Sequence, residues 1–253
     1  IRDIQDFYHK KAGFDIQFLD LRRRHLISKD GVYVDNIELP GDPLGYQHID
    51  LGKQSWFREH DALGKTYYGA SYDIEETNRH HGNGVHEYSI SRSVLSADVI
   101  ISIPKMKTHK KVGVTMNLKG LVGINGEKNW LPHYAIGSPS ENGDQFNCTS
   151  TRTTLENRLV ITAKKILLSK NSIAQKIAGK SKGILYKLLG STDDVVRSGN
   201  WHGNDTCWRM VLDLNKILFN FDENGQRRKS PRRFFSIVDG IIGMEGNGPV
   251  NGN

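Results

Sequence analysis

IISIPKMKTHKKVGVTMNLKGLVGINGEKNWLPHY, residues 100–134, is the stretch whose reading decides the fold. The apolar run Val99–Ile103 has the length and composition of a buried strand and ends at Pro104. Lys105, Lys107, His109, Lys110 and Lys111 follow directly, then Gly113, then Val114, Leu118, Leu121 and Val122 at helical spacing. This order predicts a strand, a cationic turn and a helix. In open α/β sheets ligands bind beyond the carboxyl ends of the strands, and a helix N-terminus favours anions through its free N–H groups. The competing reading is a solvated basic loop. The alternation of Lys105 and Lys107 around Met106, with a threonine and His109 in the turn, favours a site. Lys105, Lys107 and His109 are expected to converge on an anion pocket closed by Lys128 or His133. Lys119, further along the expected helix, would line a cleft wall or face water.

The string Ile103–Gly123, with Lys128 and His133 after it, resembles the signature of the family catalogued as domain of unknown function 362. Two later stretches resemble that family as well: Trp201–Thr206 with Asp213–Asn215, and Ile237–Gly240 through Glu245–Pro249. The resemblance covers about residues 85–250. It implies an α/β fold and a site to which Lys119, Lys128, Asn204 and Asn247 contribute as ligand-binding residues, but no particular reaction. Some members carry a ferredoxin-like iron–sulfur segment, and members continue into further α/β structure, so the chain is expected to be an internal fragment.

The 253 residues carry a net charge of +7 and are 37% hydrophobic, with a mean hydropathy of -0.52 and a pI near 9.3. A sizeable core is affordable at this length. No apolar run approaches the roughly 20 residues of a membrane span, and a cytoplasmic protein is expected. Two cysteines, Cys148 and Cys207, are too few for a disulfide framework or an iron–sulfur cluster. The basic balance admits anionic small molecules, nucleic acid or an acidic partner surface.

Ile4, Phe7, Tyr8 and Lys11 suggest an opening helix closed by Gly13, and Phe14, Ile16 and Phe18 alternate as a strand. Lys29-Asp30-Gly31 before Val32 is a hairpin signal. His80, His81 and His86 invite a metal reading, but with Gly82 and Gly84 beside them a flexible polar loop is the better one. Gly137–Thr149 reads as a mobile loop or lid. Residues 151–190 read as a helical insertion, with Ile173, Ile177, Ile184 and Leu188 on one face and Lys176, Lys180, Lys182 and Lys187 on the rest. Val211–Leu218 is a helix, and Phe234–Val238 a buried strand ended by Asp239.

The fold class that follows is α/β: a central mixed or mostly parallel sheet with flanking helices and a basic helical insertion, in a single domain. The strands ending at Pro104 and Asp239 should share a sheet with their carboxyl ends on one edge. His109 and His133 are the candidate catalytic acid or base. Lys105 and Lys107 are candidate anion ligands as point charges. Asp239 and Glu245, with Asp205 and Asp213, are candidate carboxylates for a divalent cation, helix capping being the plainer role for Asp205 and an exposed helix position for Asp213. The expected function is an enzyme or binding domain for a phosphate- or carboxylate-bearing small molecule. The alternative is a non-catalytic basic module for nucleic acid or an acidic surface.

Overall fold

The computed structural model describes residues 2–29, 32–69, 73–147 and 198–246, and the expected insertion, Cys148 and Asn247 lie outside them. The elements, numbered over these residues, are α1 (Arg2–Ala12), β1 (Arg24–Lys29), β2 (Val32–Glu38), β3 (Tyr46–Asp50), α2 (Arg58–Asp61), β4 (Tyr67–Tyr68), α3 (Ile74–His80), β5 (His81–Gly82), β6 (Val85–Ser91), α4 (Arg92–Ser96), β7 (Val99–Ser102), β8 (Lys105–His109), β9 (Gly113–Thr115), α5 (Asn117–Gly120), β10 (Tyr134–Ala135), α6 (Cys207–Asn220), β11 (Arg233–Ser236) and β12 (Asp239–Met244). Helices and strands are mixed, and the strands form several small sheets. No helix among the described residues is long and apolar enough to cross a membrane.

The core gathers around α6. Met210, Leu214, Ile217 and Leu218 recur at helical spacing and are fully buried. They join Phe57, Tyr88, Ile90, Leu95, Leu121 and Ile124 in one apolar cluster. Each such side chain taken out of water contributes about 1.5–3 kcal/mol. One buried cation fastens the periphery to this core. The Arg232 guanidinium, 3% exposed, donates to the carbonyls of Leu95, Ala97, Leu218 and Phe221. It thereby satisfies carbonyls at the ends of α4 and α6 that lack helical partners.

β7 pairs in parallel with β11, in register from Val99 with Arg233 to Ser102 with Ser236. The expected shared sheet and common edge for these two strands are therefore present. Ile100 and Phe234 face the core. Val99, Ile101, Ile103, Phe235 and Ile237 alternate with them and are exposed, Ile101 at 61% and Ile237 at 63%, so the two strands expected to be buried are covered on one face only.

The chain beyond Pro104 departs from the expected strand–turn–helix. Lys105–His109 is itself a strand, and it folds back on β9 as an antiparallel hairpin. Gly113 takes a positive φ of 78°, which glycine adopts without the steric cost other residues meet. The helical spacing of Leu118, Leu121 and Val122 is realised only in the short α5 and the 3-10 turn Leu121–Ile124 that follows it. The second glycine-rich stretch also differs from expectation. Asp239 opens β12 instead of ending a strand, and β12 runs parallel to β8 with Asp239 opposite Lys105 and Met244 opposite Lys107. The residues between bulge outward.

Three other expectations are corrected. Phe14–Phe18 is not a strand. The histidine segment is no loose loop: His81 and His86 are fully buried, His86 stacks on Phe57, and His80 stacks on Trp130. In the expected lid, Ser138, Asp144, Gln145 and Phe146 are each at most 3% exposed, so this part packs into the domain.

Candidate functional site

β8 ends at His109, which is 7% exposed. Its Nδ1 accepts the Lys111 backbone N–H at 3.1 Å, which leaves the proton of the neutral ring on Nε2. Burial, then the charges of Lys119, Lys111 and Lys107, lower its pKa to about 3. His133 holds the opposite tautomer, because its Nδ1 donates to the Leu131 carbonyl at 2.7 Å. Burial and then Lys119 hold it near 3 as well, against the opposing pull of that carbonyl. His109 thus offers a donor and His133 an acceptor, and a charge on His109 bears on His133.

Lys119 lies within the single turn of α5 and not three turns along a helix, which corrects its expected place. It is 9% exposed. Burial lowers its pKa, with Lys107 acting in the same sense. Its charge also reaches Cys207, at the start of α6, whose thiol burial pushes up. Among the described residues no carboxylate pairs with Lys119, Lys107 or Lys111. Lys111 donates to the Ser198 carbonyl and, at 2.6 Å, to Asn200 Oδ1, and its ammonium lies 5.6 Å from the Tyr134 ring centre. Burial lowers its pKa to about 8. Opposite Lys107 across the hairpin, the Thr115 hydroxyl is buried without a hydrogen-bond partner, as is Asn117 Oδ1 in α5.

The site residues read from the sequence thus separate. His109, Lys119 and His133 come together, with Lys107 near enough to bear on His109 and Lys119. Lys105 does not join them: it donates to Asp239 Oδ2 at 2.9 Å, both side chains being over 40% exposed. Lys128 lines a different cleft with Arg22 and Arg24. Asn204 is spent within the protein. Its oxygen accepts the Thr206 and Cys207 N–H groups, and its nitrogen donates to the carbonyls of His133 and Gly199, so it ties His133 to the start of α6. Lys111 and Cys207 were missed as members of the cluster. The Lys110-Lys111 pair carried a signal, whereas nothing around Cys207 did.

Among the candidate cation ligands, Asp205, Asp213 and Asp239 have other partners. Asp205 accepts from His60 Nε2 at 2.8 Å, from the Trp208 indole and from Arg209. Asp239 is held by Lys105, and Glu245 is exposed. No three His, Cys, Asp or Glu side chains are grouped as metal ligands among the described residues. Asp213 corrects the expectation of an exposed position: it is fully buried. It accepts from the Ser55 hydroxyl at 2.5 Å, the Trp56 N–H at 2.9 Å and the Tyr88 hydroxyl at 3.1 Å.

A cluster of this kind, with one buried and one half-buried ammonium group, two neutral imidazoles of opposite tautomer and orphaned hydrogen-bonding atoms, can hold an anion and move a proton on it. A family model described as Domain of unknown function (DUF362) matches residues 54–253. No curated protein and no solved structure matches the chain.

Proposed function

The chain belongs to the DUF362 family, and we propose that in it Lys107, His109, Lys111, Lys119 and His133 bind a phosphate- or carboxylate-bearing small molecule. One observation carries this reading. Lys119 is an ammonium nine-tenths buried with no acidic partner among the described residues, near the half-buried Lys111. An unpaired buried charge is costly, and an anion from solution is the partner that would offset it. The Lys105–Asp239 pair and Lys128 then stand outside the pocket. In the same reading, the parallel pairs β7–β11 and β8–β12 belong to one central, mostly parallel sheet whose strand ends carry the site.

Catalysis is the further part of this proposal. In this reading His133 Nε2 acts as a base and His109 Nε2–H as an acid, so the bound molecule would lose a proton to one and gain a hydrogen bond or proton from the other. A bound anion raises both imidazole pKa values from about 3 toward the range where such transfer is efficient. Calorimetric titration of inorganic phosphate and of malonate tests the binding. The wild-type chain should bind one of them in an event that Lys119→Met abolishes, and an isotherm unchanged in that variant would overturn the proposal.

A further inference from the structure

A second cleft lies between Arg22 and Arg24 on one side and the segment Asn125–Asn129 on the other. Arg22 and Arg24 precede residue 54, so they lie outside the family-matched part of the chain, whereas Lys128 lies inside it. The wall is firmly built. Arg23, between the two cleft arginines, pairs with Glu127, which is 6% exposed. Its guanidinium also sits 5.5 Å from the Tyr46 ring centre. The Tyr46 hydroxyl donates to the Leu21 carbonyl at 2.8 Å, which fixes the arginine segment to the body. Gly126 permits this approach, because a Cβ there would clash with a Tyr46 ring carbon.

The charges do not balance. Three cations, Arg22, Arg24 and Lys128, line the cleft against one carboxylate, Glu127, while Asp20 beside Arg22 and Glu38 opposite Arg24 across the β1–β2 hairpin lie outside its lining. Asp20 is taken by Arg22 through two forked contacts, 2.6 Å and 2.9 Å, and its pKa falls to about 2 chiefly through that bond. Glu127 is taken by Arg23. Arg24 and Lys128 have no acidic partner among the described residues, and the ammonium of Lys128 is disfavoured by burial and by Arg22. The excess is two positive charges around one concavity.

We propose that this cleft is a binding site for the phosphomonoester group of a small molecule. A phosphomonoester carries about −1.5 to −2 charges near neutral pH and three acceptor oxygens, which matches two excess cations, one of them a guanidinium fork. A single carboxylate would leave half of that excess unmatched. A nucleic-acid backbone presents one charge per phosphate along an extended track, and here the cations converge on one cleft flanked by Asp20 and Glu127.

The site is tested with inorganic phosphate, glycerol 3-phosphate and a short single-stranded oligonucleotide with and without a 5′-phosphate. Titrations use the full chain, Lys119→Met to silence the lysine–histidine cluster, and the double variant Arg24→Gln, Lys128→Met. The expected result is a phosphomonoester-binding event that survives Lys119→Met and weakens at least tenfold in the double variant. Lys128→Arg should retain it, and tighter binding of glycerol 3-phosphate than of inorganic phosphate would identify an organic ester as the source. The replaced side chains lie at the surface, and circular dichroism confirms that the double variant is folded. Equal binding by the double variant overturns the proposal, as does loss of all binding in Lys119→Met. Equal affinity for the two oligonucleotides, above that for glycerol 3-phosphate, overturns it in favour of a nucleic-acid surface.

Discussion

Lys119→Met should make the empty protein more stable while removing its response to anions. Lys119 is 9% exposed and has no acidic partner among the described residues, and burial lowers its pKa. Methionine has similar length and fills the same space without a charge. Replacing buried ionic groups with packed apolar ones is neutral or stabilising by roughly 1–4 kcal/mol. A ligand that binds only the folded state adds about 2.7 kcal/mol at a hundred times its dissociation constant. Urea unfolding at pH 7.5 measures both quantities when run with and without phosphate. A background carrying Arg24→Gln and Lys128→Met isolates this site from the second cleft. In that background the lysine form should start lower and rise with phosphate, and the methionine form should start higher and stay level. A methionine variant that is less stable without phosphate, or that keeps the phosphate-dependent gain, refutes the argument that Lys119 is an uncompensated charge awaiting an anion.

Acid should weaken the fold through the same cluster. His109 and His133 are neutral when folded, with pKa values near 3 against an ordinary 6.5. Their contribution is therefore complete above pH 6.5 and is lost as pH falls toward 3, by up to about 1.4 kcal/mol per pH unit for each histidine. Urea midpoints between pH 7.5 and 4.5 should fall less steeply in His109→Gln and in His133→Gln. Anion binding near pH 8 should take up protons, since Lys111 titrates there when the site is empty and a bound anion raises its pKa; calorimetry in buffers of different ionisation enthalpy reads the uptake. Asp213→Ala strands the Ser55 and Tyr88 hydroxyls and the Trp56 N–H, and should cost on the order of 3 kcal/mol or more in thermal or urea unfolding. Asp213→Asn should cost less.

Two strands were legible from their composition, although their expected burial holds on one face only. Val99–Ile103 and Phe234–Val238 announce themselves by apolar runs, and their parallel pairing follows from the strand order of an α/β chain. The cationic turn was misread because Val114, Leu118, Leu121 and Val122 satisfy a helical spacing across a boundary. Val114 belongs to a strand, and only the later residues to a short helix and a 3-10 turn. A period counted over four residues cannot see that Gly113 turns the chain back on itself. The same error moved Lys119 away from His109 on paper, while the hairpin brings them together. His133 and Lys128, five residues apart, looked interchangeable as closing groups. Only the tertiary placement of Arg22 and Arg24, over a hundred residues earlier, assigns Lys128 to its own cleft. Asp213 looked exposed because a carboxylate on a helix usually is. Its three donors come from Ser55, Trp56 and Tyr88, which no local pattern links to it.

The exposed face of β7 and β11 has a thermodynamic consequence. Val99, Ile101, Ile103, Phe235 and Ile237 are already partly hydrated before the protein unfolds, so unfolding adds less to their contact with water than it would for dry side chains. At on the order of 100 Å² of apolar surface per side chain, the heat capacity of unfolding is about 0.2 kcal/mol/K smaller than for a sheet dry on both sides. The stability curve of the described domain is correspondingly flatter. Covering that face would deepen the curvature as well as raise the maximum, and scanning calorimetry would register the first change even where the second is offset by ordering the cover.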